Sequence, residues 1–209
     1  MDAYTTENEQ VEAIKTWLKE NGKSALFGVV LGLAAIFGWR SWQQHIISQS
    51  EAAAGIYQQA LVAVSQDKPQ EGKNKAMEII NNYADTGYAV FAHLILASTA
   101  AEANDYNAAE QHLSNALEQT GNESLKHEIS LRLVRAHIAN NKLDQALGLV
   151  NTSQPGAYAA SYNELKGDIL ALQGKYAEAR LAYQQAITES QSSAVDLSML
   201  NIKLDSLGN

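Results

Sequence analysis

Residues 174–187 read GKYAEARLAYQQAI and residues 104–117 read NDYNAAEQHLSNAL, one pattern twice, 70 residues apart. That shift aligns Tyr176 with Tyr106, Ala179 with Ala109 and Ala186 with Ala116. Between the two, NKLDQALGLV (141–150) repeats the pattern with Ala146, and a weaker copy, NKAMEIINNY (74–83), places Ala76 in register. The four alanines lie 33, 37 and 33 residues apart. Self-similarity at such a period marks a stack of helical hairpins. Two antiparallel helices need small residues where they cross closely and a large residue to fill the gap to the next hairpin. A single hairpin cannot bury its apolar face, so several must stack into a solenoid.

The last copy fits the tetratricopeptide pattern best. Gly167, Gly174, Ala179, Tyr183 and Ala186 fall at its small, turn, small, aromatic and small positions. Gly174 and Asn104 mark the turn between the paired helices, where a left-handed backbone is expected. A plain bundle of Ala-rich helices would not keep four copies in register. The sequence therefore predicts an all-α, tetratricopeptide-like solenoid over residues 43–209, with a degenerate first repeat. Its last segment, AVDLSMLNIKLDSL (194–207), has apolar residues on more than one face and is expected to cap the open end. Composition agrees: only two prolines interrupt a chain that is 46% hydrophobic, which disfavours both an all-β fold and disorder.

Upstream of the repeats, residues 24–39 read SALFGVVLGLAAIFGW, sixteen residues without a charge, bounded by Lys23 and Arg40. As a helix this run is about 24 Å long against a hydrocarbon core of about 30 Å. Snorkelling of Lys23 and Arg40 and interfacial anchoring by Trp39 and Trp42 make up the difference. Residues 24–42 are read as a transmembrane signal anchor rather than a buried helix, because no polar residue interrupts the run. A cleaved signal peptide does not fit, since Trp39-Arg40-Ser41-Trp42 is a poor cleavage context. Lys15, Lys19 and Lys23 precede the span and only Arg40 follows it before Lys68, so residues 1–23 are expected in the cytosol and 43–209 outside it. Gly28 and Gly32, extended by Ala35, form a small face on which a second membrane helix could pack. Before the span, Thr6-x-x-Glu9 reads as a capping box opening a short amphipathic helix with Val11, Ile14, Trp17 and Leu18 on one face. Asn21-Gly22 is expected to end that helix.

Signs of catalysis are sparse. The net charge of −8 disfavours a nucleic-acid partner, and the absence of cysteine removes thiolate chemistry and disulfides. No phosphate-binding glycine loop or nucleophile elbow is present. His127-Glu128 begins like a zinc-protease helix, but Leu131 stands where the second histidine is needed. His93 and His137 lie on first helices of adjacent repeats and could share a site, although a catalytic zinc needs three protein ligands. Asn122-Glu-Ser and Asn151-Thr-Ser match the glycosylation pattern, a weak signal. No catalytic residue, cofactor, metal or small-molecule substrate is expected. The default binding surface is the concave face lined by the first helix of each repeat. In this register it includes Phe91, Leu94, Ser98, Leu131, Arg135, Ile138, Glu164 and Asp168. Phe91, Leu94, Leu131 and Ile138 have an equal alternative as core between repeats.

The order of parts also resembles a known family. ENEQVEAIKTWLKENGK (7–23), the short span and GWRSWQ (38–43) resemble the YfgM family, ancillary subunits of the SecYEG translocon. The resemblance implies a single-pass bacterial inner-membrane protein with its repeats in the periplasm. It further implies association with the translocon and with the periplasmic chaperone PpiD, and a role in passing nascent secreted proteins, still unfolded, to periplasmic chaperones. A scaffold for another envelope complex, such as one of cell division or cell-wall assembly, fits the anchor and repeats equally. Only the N-terminal block separates the two.

Overall fold

The computed structural model describes residues 7–190 and 197–208, and every element among them is helical. In chain order these are α1 (Glu7–Ser65), α2 (Pro69–Asn82), α3 (Tyr88–Glu102), α4 (Tyr106–Gln119), α5 (Glu123–Ala139), α6 (Leu143–Thr152), a 3-10 turn (Gly156–Tyr158), α7 (Ala159–Leu172), α8 (Tyr176–Glu189) and α9 (Leu197–Ser206). The chain divides into two units, residues 1–49 and 50–209.

The first unit is the larger part of α1. It is long and apolar enough to cross a membrane, and none of its most apolar window is buried. Leu26, Phe27 and Phe37 are each 66% exposed, so among the described residues little shields them. Trp39 and Trp42 are in tilted contact with centroids 5.2 Å apart. The break expected at Asn21-Gly22 is absent, and α1 runs straight through it. A glycine inside a helix costs only about 1 kcal/mol, and Asn21 Nδ2 donates to the Trp17 carbonyl one turn back (3.3 Å). The expected Thr6-x-x-Glu9 box lies outside the described residues.

In the second unit the end of α1 pairs with α2, α3 with α4, α5 with α6 and α7 with α8. Each pair is joined by the same turn. Asp67, Asn104, Asn141 and Gly174 have φ of 58°, 60°, 56° and 75°. The next amide in each turn donates to the carbonyl five residues back: Lys68 to Ala63, Asp105 to Ala100, Lys142 to His137 and Lys175 to Leu170, at 2.8–2.9 Å. This is the left-handed helix C-terminus that closes orphan carbonyls. The left-handed turns expected at Asn104 and Gly174 are there, joined by two more at Asp67 and Asn141.

The turns also correct the register of the first repeat. Gly72, Ala109, Ala146 and Ala179 each stand five residues after a turn residue, and each donates its amide to the residue preceding its helix at 2.9–3.1 Å. Gly72, not Ala76, is therefore the counterpart of the other three, and the spacings become 37, 37 and 33. Ala76 sits one helical turn further on, where Leu113, Val150 and Tyr183 stand. Ala109, Ala146 and Ala179 are all essentially inaccessible. A Cβ on Gly72 would lie 2.7 Å from Val64 Cγ2, so α1 and α2 approach even more closely there.

Four apolar clusters follow one another along the stack, centred on Ile79, Ile129, Ile169 and Leu200. The last includes Leu200 of α9, fully buried against Leu170, Ala179 and Tyr183. Helix α9 thus covers the final hairpin, while Leu197, Met199 and Ile202 remain exposed.

Candidate functional site

Helices α1, α3 and α5 are the first members of three successive hairpins, and a cleft of about 510 Å³ runs along them. Tyr57 and Leu61 come from α1, Phe91, Leu94, Ser98 and Glu102 from α3, and Leu125, Glu128 and Arg132 from α5. One end is aromatic. Tyr57 lies 5.7 Å from both Phe91 and Tyr88, in tilted contact. A second cleft of about 310 Å³ continues between α3, α4 and α5 under Ala97, Ala101, Tyr106, Leu113 and Ala139, rimmed by Arg132 and Arg135. Leu94, Ser98 and Arg132 line both, so the two form one groove.

The eight residues expected on this face divide into three groups. Phe91, Leu94, Ser98 and Arg135 lie in the groove, with Ser98 Oγ donating to Glu102 at 3.3 Å. Leu131 is 4% exposed inside the cluster of Val134, Val150 and Ile169, and Ile138 packs against the same cluster. Those two side chains face α6 and α7 as core. Glu164 and Asp168 lie on α7 beneath the terminal helix: Lys203 Nζ reaches Glu164 Oε1 at 2.7 Å and Asp168 Oδ2 at 2.8 Å. Tyr183 donates its hydroxyl to Asp168 Oδ1 at 2.8 Å. Burial, then the Asp168 hydrogen bond, push the Tyr183 hydroxyl well above the usual tyrosine range. Burial pulls the Lys203 ammonium down, but the bonds to Asp168 and Glu164 outweigh it and hold it above the ordinary lysine range. These acids therefore fasten α9 rather than line an open surface.

Sequence reasoning missed Tyr57, Leu61 and Arg132. Tyr57 and Leu61 sit one turn apart, a readable signal, but on a hairpin whose register had slipped. Arg132 stands three residues before Arg135 and thus shares its helix face.

The histidines pair otherwise than expected. His93 does not meet His137. Its Nδ1 lies 3.1 Å from Nδ1 of His112 on the paired helix α4. Burial lowers both rings below the ordinary histidine value. His112 adds to the shift at His93, and Lys73 adds to that at His112. His137 Nδ1 instead lies 3.1 Å from Glu110 Oε1, within ion-pair distance but not aligned for a hydrogen bond. Burial pushes the Glu110 carboxyl up, yet Lys142, Asn140 and the nearby His137 prevail and hold it below the carboxylate range. His127 stacks on Tyr158 at 4.8 Å and meets the Tyr162 hydroxyl at 3.2 Å, so it is a packing residue. Asn122 caps α5, accepting from the Leu125 amide at 3.0 Å. Among the described residues no three His, Cys, Asp or Glu side chains could jointly hold a metal ion.

The tetratricopeptide repeat-like family matches residues 15–209. A tetratricopeptide repeat protein from Parabacteroides merdae shares the fold at a TM-score of 0.53 and 14% identity, over 99% of this chain and 73% of its own. Proteins named ancillary SecYEG translocon subunit are similar over nearly their whole length. The Escherichia coli protein is 33% identical over 99% of both chains, and the Haemophilus influenzae protein 34% identical over 98% of this chain and 100% of its own. The Neisseria gonorrhoeae protein is 27% identical over 99% and 100%. With the family model matched over residues 15–209 and these relatives matched almost end to end, this chain belongs to the tetratricopeptide repeat-like family of ancillary translocon subunits.

Proposed function

We propose that this chain is a non-catalytic adaptor held at the SecYEG translocon of the bacterial inner membrane. The observation that carries this reading is its end-to-end similarity to proteins named as ancillary subunits of that translocon. Residues 24–42 cross the membrane, since a helix this apolar and this uncovered needs hydrocarbon around it. Residues 1–23 stay in the cytosol with Lys15, Lys19 and Lys23, and residues 43–209 lie in the periplasm. Gly28, Gly32 and Ala35 offer a membrane partner a close approach: a Cβ on either glycine would meet nothing within 4 Å. Outside the membrane the groove along α1, α3 and α5 receives unfolded or nascent secreted polypeptide and helps pass it to periplasmic chaperones, PpiD among them.

Photo-crosslinkers placed at Ala35 and at Ser98 of the full chain in native membranes test this. The expected products are translocon subunits from the first position and secreted precursors or a chaperone from the second. If neither position yields a Sec component, the proposal fails. The chain has no cysteine, so a single engineered one at Gln66, at the end of the first hairpin helix, reports orientation without background. It should react with an impermeant maleimide only from the periplasmic side.

A further inference from the structure

We infer that the groove selects an apolar polypeptide segment carrying an internal acidic side chain, which Arg132 and Arg135 receive. This deepens the groove reading above and rests on it. The chain has only four arginines among 209 residues and a net charge of −8. Arg40 borders the apolar run, and Arg180 donates to the Gly208 carbonyl. Arg132 and Arg135 make no hydrogen bond or ion pair among the described residues, although Glu128 stands one turn before Arg132. The ion pairs elsewhere in the repeats are made by Lys75, Lys126, Lys142 and Lys203, and by His137.

Two guanidinium groups three residues apart on one exposed helix face present planar forks that match a carboxylate. The surface beneath them is predominantly apolar: Leu94, Ala97, Ala101, Leu113, Ala136 and Ala139. A free phosphate or a polar anion would leave that floor wetted and unfilled. An apolar segment without an anion would cover the floor and leave two cations desolvated without a partner, which is costly. The groove lining continues on both sides of the arginines, through Leu125 and Glu128 before them and Ala139 after them. A bound chain therefore runs on in both directions, which fits an acidic residue inside a segment better than a chain terminus.

The test uses the full chain in lipid nanodiscs and fluorescein-labelled eleven-residue peptides of Leu, Val and Ala with both ends blocked, differing only at the centre (Glu, Gln or Lys). Anisotropy should give an affinity for the Glu peptide about tenfold above that for Gln, with the gap shrinking as salt rises. The double variant Arg132→Gln with Arg135→Gln should bind the Glu and Gln peptides alike. Lys126→Gln, elsewhere on α5, should leave the preference intact. Both arginines are exposed, so an unchanged circular dichroism spectrum verifies that the variants fold. Equal affinity of the parent for Glu and Gln overturns the inference, as does an undiminished preference in the double variant. An unblocked peptide with a Gln centre that outcompetes the Glu peptide through its terminal carboxylate also overturns it. Binding of none of the peptides, with no crosslink from Ser98, overturns the groove reading itself.

Discussion

Gly167→Ala should destabilise the last hairpin even though alanine is the better helix former. A Cβ built on Gly167 would lie 2.4 Å from both Cδ1 and Cε1 of Tyr183 and 2.9 Å from Cζ. Those are ring atoms of a residue only 3% exposed, whose hydroxyl is tied to Asp168, so the ring cannot swing aside freely. Overpacking of this kind costs about 1–3 kcal/mol. Moving the ring also stretches the Tyr183–Asp168 bond, a loss of about 1 kcal/mol. The gain in helix propensity returns about 1 kcal/mol, leaving a net loss of about 1–3 kcal/mol. Two other glycines calibrate the reasoning. At Gly72 the obstructing atom is the tip of Val64, with the Ala60 carbonyl oxygen at 3.3 Å, so Gly72→Ala should cost less. At Gly148, inside α6, nothing lies within 4 Å, and Gly148→Ala should stabilise by about 0.5–1 kcal/mol. Urea titration of the full chain in mild detergent, followed by circular dichroism and by proteolysis of the repeats, gives the ranking. A Gly167→Ala variant at least as stable as the parent would refute the close-approach account of this position.

Lys203→Met should free α9, because it leaves two half-buried carboxylates one helical turn apart without their cation. After allowance for partial exposure the cost is about 1–2 kcal/mol, seen as faster amide exchange across residues 197–206 with α3 to α6 unchanged. Acid should weaken the second hairpin. His93 and His112 are held below their unfolded value of 6.5, so below that pH the unfolded chain takes up protons that the native pair refuses, and stability falls. His112→Gln should flatten the fall in melting temperature as pH drops below 6.5, relative to the parent. The lowered Glu110 carboxyl acts in a separate window: its contribution is present above its unfolded value of 4.5 and is lost as pH falls through the lower native value. At the turns, Asn141→Gly should raise stability and Gly174→Ala lower it, each by about 1 kcal/mol in a denaturant titration, because both positions have φ near +60° to +75°.

The repeat was legible because its rules are local. A small residue five positions after a left-handed turn recurs in every hairpin, and three of its four examples are alanines that align by eye. The fourth is Gly72, which carries no side chain to match, so the alignment slid one helical turn to Ala76. The apolar helix was legible for the same reason, as a contiguous uncharged run. The groove was only half legible. Phe91, Leu94, Ser98 and Arg135 follow from the register, but Leu131 and Ile138 lie on a face of α5 that α6 and α7 cover, and neither partner is visible in the α5 sequence. Lys203 could not have been assigned to Glu164 and Asp168, which precede it by 39 and 35 residues on a different helix. Periodicity says nothing about which solenoid face a terminal helix covers.

That terminal clamp also explains why the groove lies where it does. First helices α1, α3, α5 and α7 are built alike, yet only the first three share the open cleft. At α7 the acids Glu164 and Asp168 are neutralised by Lys203, and the apolar surface beside them is closed by Leu200, which is wholly buried. The cap removes charge and apolar area together from the last hairpin. What remains open is an aromatic end at Tyr57 and Phe91 and a charged end where Arg132 and Arg135 stand with Glu102 and Glu128, joined through Leu94 and Ser98. On the proposed reading of the groove, unlike ends would give a bound segment a direction.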